Sequence, residues 1–135
     1  MDKVVNILLV EDDYLDIIDV KRTLEKMHIL NNMVVAKNGE DALQILTDKS
    51  RSAESSPDIA LIDINMPKMN GLEFLQEKLK DTSLKNIPVI MLSASPHIRE
   101  DAFKYGATAF IDKAGDDVSL RNNLQLALDS LAAGR

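Results

Sequence analysis

Short apolar runs alternate along this chain with stretches in which apolar residues recur every three or four positions, and the alternation repeats five times. Val4 to Val10 reads as a buried strand, and Ile17, Val20, Leu24 and Met27 follow at helical spacing. A shorter run from Met33 to Ala36 leads through the turn signal Asn38-Gly39 into Ala42, Ile45 and Leu46, a second helix. Ile59 to Ile62 is wholly apolar, and Leu72, Leu75 and Leu79 then share one face of a helix that starts near Gly71. Ile87 to Leu92 and Thr108 to Ile111 supply two more strands. Between them Ile98, Ala102 and Tyr105 mark a fourth helix with Gly106 as its C-cap. Leu120, Leu124, Ala127, Leu128 and Leu131 mark the last helix. Strands that are apolar throughout are covered on both faces, so the pattern predicts an α/β fold: a parallel sheet with helices on each side.

In such a sheet all strands end on one edge, and there the sequence turns polar. Glu11-Asp12 follows the first strand, Asp63 the third with Asn65-Met66-Pro67 just beyond, Ser93 the fourth and Lys113 the fifth. Residues far apart in sequence are thereby expected in one small site of three carboxylates, a hydroxyl and an ammonium. Crowded acids repel unless a divalent cation sits among them, and a single lysine beside them fits an anion that comes and goes. These parts suit a metal-assisted phosphoryl acceptor.

Composition narrows the setting. The 135 residues carry a formal charge of −6, which disfavours nucleic acid and anionic membranes as partners. There is no cysteine, which excludes disulfides, thiolate nucleophiles and zinc–thiolate sites. The N-terminus lacks the positive region and long apolar core of a signal peptide, and no run approaches the roughly 20 apolar residues that span a bilayer, so a cytoplasmic protein is expected. Thr47 to Ser56 is polar and serine-rich and is expected as a surface loop. Blander roles compete for some residues: Asp13 as an acid at a helix N-terminus, Asp16 and Asp19 as solvated helix positions, His28 and His97 as surface residues, the methionines as packing.

The chain resembles the receiver domain of two-component response regulators over essentially its whole length, through Leu9-Val10-Glu11-Asp12-Asp13, Leu61-Ile62-Asp63-Ile64-Asn65-Met66-Pro67, Asn70-Gly71, Leu92-Ser93-Ala94 and Phe110-Ile111-Asp112-Lys113 in family order. The resemblance implies a flavodoxin-like, doubly wound sheet of order 2-1-3-4-5, with residues 1–135 as one receiver domain and no output domain. It implies Asp63 as phosphoryl acceptor, and Mg²⁺ held by Asp12 directly, by Glu11 through water, by Asp63 and by the backbone carbonyl of Asn65. Lys113 and Ser93 would contact the phosphoryl oxygens, and Ser93 and Phe110 would form the switch.

The implied partners are a sensor histidine kinase or a histidine-phosphotransfer protein and a downstream protein target. A homodimer through the fourth helix, fifth strand and last helix is also implied. Enzymatic turnover is not: the chain would promote only its own phosphorylation and dephosphorylation. The alternative within the family is an intermediate carrier in a phosphorelay. A phosphatase of the haloacid-dehalogenase type would place an aspartate two residues after the nucleophile, where this chain has Asn65. The family pattern is broken in two places. Ser93 stands where threonine is common, and Ala114 replaces the usual cis proline after the lysine, where a cis bond would cost about 2.5–4 kcal/mol.

Overall fold

The structure is a computed structural model that describes residues 4–48, 57–64, 69–84, 86–93, 96–112, 121–126 and 129. Five parallel strands form one sheet in the order β2-β1-β3-β4-β5, as expected. They are β1 (Val5–Val10), β2 (Asn31–Ala36), β3 (Ile59–Asp63), β4 (Val89–Ser93) and β5 (Ala109–Asp112). The helices between them are α1 (Tyr14–Lys26), α2 (Gly39–Thr47), α3 (Gly71–Lys80) and α4 (Arg99–Lys104), with a single 3₁₀ turn at Pro96–Ile98 ahead of α4. Residues 121–126 are helical again. Segment 49–56 of the expected loop and most of the last helix lie outside the described residues.

Side-chain alternation along the strands divides the core in two. Ile7, Leu9, Ile59, Leu61, Ile90 and Leu92 pack with Val20 and Leu24 of α1 and with Leu124. Their neighbours Leu8, Val10, Ala60, Ile62 and Met91 pack with Ala42 of α2, Phe74 and Leu75 of α3 and Ala102 of α4. Every residue of β3 and β4 is buried, which explains why those runs carry no alternation of polar and apolar residues. The strand β2 is two residues longer than its apolar run, because Asn31 and Asn32 pair through their backbones with Val5 and Asn6 whatever their side chains are. On α3 the buried face is Phe74, Leu75 and Lys78, while Leu79, expected on that face, is 42% exposed.

Two helices end in the same way. After α4, Gly106 N–H donates to Phe103 (3.1 Å) and Ala107 N–H to Ala102 (2.9 Å); after α1, His28 N–H donates to Glu25 (3.0 Å) and Ile29 N–H to Leu24 (3.2 Å). Both are paired-carbonyl terminations that need a residue with positive φ. Gly106 has φ 99° and His28 has φ 57°, so one site carries the residue suited to that backbone and the other does not. Gly106→Ala is therefore expected to cost about 1–2 kcal/mol of unfolding free energy. His28→Gly is expected to gain a net ~0.5–1 kcal/mol, since the relief of strain exceeds the added chain entropy. Urea unfolding of the two variants checks both, and equal signs would contradict this account of the two caps.

Candidate functional site

Register fixes what meets at the strand ends. Val10 is level with Ile62 and with Ala36, and the Glu11 N–H extends the ladder to Ala36 O at 2.9 Å, so Glu11 lies beside Asp63. Leu9 and Leu61, two residues earlier, face α1, and the period of two carries Glu11 and Asp63 to that same side. Helix α1 arrives there in a set orientation, because the Asp13 carboxylate caps it by accepting from Leu15 N–H (2.9 Å) and Asp16 N–H (3.4 Å). The capping role weighed for Asp13 is the one observed.

Carboxylate oxygens of Glu11, Asp16 and Asp63 all lie within 4.8 Å of one another. Glu11 is 1% and Asp63 5% exposed, and Asp16 is half-buried. Glu11 Oε1 accepts from Asp13 N–H at 3.1 Å, which holds that carboxylate from behind. Asp12 is exposed and stands outside the group. Asp16, expected as a solvated helix position, is instead part of the cluster, whereas Asp19 is exposed. The signal for it was the cap: a helix starting after Asp13 puts its third residue back over the strand end. Ser93 is fully buried at the end of β4, one residue past Leu92, which is level with Asp63. Phe110 is buried on β5, level with Met91. Asn65, Lys113 and Ala114 lie outside the described residues.

The chain that leaves Asp63 is closed at its base by α3. Asn70 and Glu73 form a capping box, the Asn70 side chain accepting from Glu73 N–H (2.9 Å) and the Glu73 carboxylate from Asn70 N–H (3.2 Å). Gly71 N–H donates to Ile64 O at 3.2 Å. A Cβ on Gly71 would stand 3.0 Å from Ile64 Cα and 3.1 Å from Asp63 O, so only glycine lets α3 begin this close to the end of β3.

Three carboxylates this near each other interact unfavourably by between about 1 kcal/mol per pair in water and about 4 kcal/mol at an effective dielectric of 20. All the donors are hard oxygens. Mg²⁺-sized cations keep several waters, so oxygens within 4.8 Å of one another can hold a small divalent cation directly or through those waters.

A doubly wound sheet with its acids at the β1/β3 switch point defines a class, and the family follows from the sequence: residues 7–125 match the response regulator receiver domain, and the chain belongs to that family. It is 34% identical over 96 residues to the response regulator Rcp1 of Synechocystis sp., which covers 70% of this chain and 65% of that protein. A protein-glutamate methylesterase/protein-glutamine glutaminase of Geobacillus kaustophilus is 30% identical over 122 residues, 87% of this chain but only 32% of that protein. The chain thus spans less than two thirds of these curated relatives. Among solved structures it is similar to the bacteriophytochrome response regulator AtBRR (31% identity, TM-score 0.77, 96% of this chain and 94% of that one). It is also similar to the phosphorylated cyanobacterial phytochrome response regulator RcpA (28%, TM-score 0.75, 93% and 89%) and to Mn²⁺-bound Rcp1 (28%, TM-score 0.73, 89% and 88%). Among the described residues, no helix is long and apolar enough to cross a membrane.

The acid group has a measurable consequence. Millimolar Mg²⁺ is expected to raise the melting temperature of wild type more than that of Asp16→Asn, because the variant offers the cation one carboxylate fewer. An equal rise in the two proteins would show that Asp16 takes no part in holding the cation.

Proposed function

We propose that Asp63 accepts a phosphoryl group from a histidine of a partner kinase and that this chain signals through protein contacts. The observation that carries the reading is the convergence of Glu11, Asp16 and Asp63 within 4.8 Å at the end of a fully buried strand, in a chain of the receiver family. A carboxylate oxygen of Asp63 attacks phosphorus; the new P–O bond forms as the P–N bond to the imidazole breaks, and the imidazole leaves with the electron pair and takes a proton. Asp63 itself, Asp12 and the Asn65 carbonyl would hold Mg²⁺, with Glu11 and Asp16 orienting its waters. Bound there, the cation supplies charge compensation to the transferring phosphoryl oxygens. The tie from Asp13 N–H and the burial of Glu11 suit an outer role, and the exposure of Asp12 leaves it free to close on the cation from solvent.

Lys113 would pair with one phosphoryl oxygen and Ser93 would donate to another, drawing β4's end towards the site and making room for Phe110 to turn. The face of α4, β5 and the last helix is then the output surface and the site of any homodimer. Residues 1–135 act in this reading as one receiver unit, in the cytoplasm, with no chemistry beyond gaining and losing the phosphoryl group. The relatives named as phytochrome response regulators make a phytochrome-type sensor kinase the first partner to test.

Incubation with acetyl phosphate and Mg²⁺ is expected to add roughly 80 daltons to wild type and nothing to Asp63→Asn. An undiminished adduct in the variant would overturn the assignment. Across a Mg²⁺ titration, Asp12→Ala is expected to lose phosphorylation altogether and Glu11→Ala only to weaken it, since a direct ligand contributes more than one acting through water. Equal defects would contradict that division of roles.

A further inference from the structure

We propose that Gly39, at the start of α2, is a positioning residue of the acceptor site; the inference rests on the phosphoryl-acceptor reading above. Gly39 is buried, and its N–H, one of the donors that a helix start leaves without an intrahelical partner, donates to the carbonyl of Met69 at 3.0 Å. Met69 belongs to the chain that runs from Asp63 to α3, and its side chain packs against the core beside α2 and α3. A Cβ on Gly39 would stand 2.8 Å from Met69 O, 2.8 Å from Met69 Cγ and 3.0 Å from Met69 Cβ. A Met69 side chain can turn aside, but its carbonyl cannot without moving the backbone.

The other end of this chain segment is held equally tightly, by the Gly71 N–H to Ile64 O bond and the close approach of Gly71 to Asp63 O. Helix α2 is itself fixed, because Asn38 caps it through Asp41 N–H at 2.9 Å and Ala42 is in the core. Met69 is therefore backed by main chain from an element that contributes no side chain to the acid group. Any residue larger than glycine at position 39 displaces Met69 and, through Asn70 and Gly71, the backbone of Ile64 and Asp63 against which Gly71 is packed. Coupling of this kind works in both directions: a ligand that fixes the backbone at Asp63 also protects the Gly39 N–H.

Wild type, Gly39→Ala, Ala42→Gly and Gly39→Ala/Met69→Gly would be titrated with Mg²⁺, alone and with beryllofluoride, by calorimetry and NMR. Gly39→Ala is expected to bind Mg²⁺ about tenfold more weakly. Ala42→Gly, which loosens the same helix and leaves the Gly39–Met69 backbone contact in place, should melt lower and bind Mg²⁺ as wild type does. The double variant should recover part of the loss and not all of it, since the carbonyl contact persists. In wild type, Mg²⁺ with beryllofluoride should slow exchange of the Gly39 amide, and this decides the matter if Gly39→Ala does not fold. Wild-type Mg²⁺ affinity in Gly39→Ala, or an unchanged Gly39 exchange rate, overturns the positioning role and leaves the acceptor reading intact. A wild type that binds neither probe overturns both.

Discussion

Charge repulsion among buried carboxylates is the constraint around which this structure is arranged. Glu11 and Asp63 are almost completely removed from water and stand level on adjacent strands, with Asp16 leaning in from α1. Groups so placed cost stability wherever nothing positive joins them. The apolar strands behind them supply the compensating term, since each fully buried Leu or Ile side chain contributes roughly 1.5–3 kcal/mol. The fold therefore has stability to spend on holding acids together, and a site so assembled favours a cation and whatever anion that cation brings.

Rigidity at the site comes from side-chain caps at the helix starts and from close main-chain contacts. Asp13 caps α1, Asn38 caps α2 and the Asn70–Glu73 box caps α3, so three helices begin at defined angles around one sheet edge. Gly71 and Gly39 let two of those starts touch the segment that leaves Asp63 without an intervening side chain. Backbone contacts of this kind have few alternative arrangements, which is what a site needs if a small ligand is to shift a larger surface.

The strand ends also separate two kinds of residue. Glu11 and Asp63 alternate towards α1, whereas Phe110 packs in the layer with α2, α3 and α4. Among the described residues a change at the acid group can reach the opposite layer through the sheet itself and through the main-chain contacts of Gly71 and Gly39. Ser93, buried at the end of the strand between β3 and β5, occupies the connecting position.

The strands, their order along the chain and the acids at their ends were legible in the sequence, because a strand buried on both faces must be apolar throughout and must turn polar where it leaves the core. Helix starts were legible for the same local reason, as Asn38-Gly39, Asn70-Gly71 and Asp13 satisfy backbone donors within a few residues of themselves. Three features depended on the tertiary structure. Asp16 belongs to the acid group because α1 packs at one angle on β1; the Asp13 cap marks in the sequence where α1 starts, but not that angle. Leu79 is exposed although it shares a helical stripe with Leu75, since the neighbours of α3 cover Lys78 instead. Gly39 meets Met69 across thirty positions of sequence because β3, α2 and α3 converge on one edge, and a contact between two backbones leaves no pattern in the side chains.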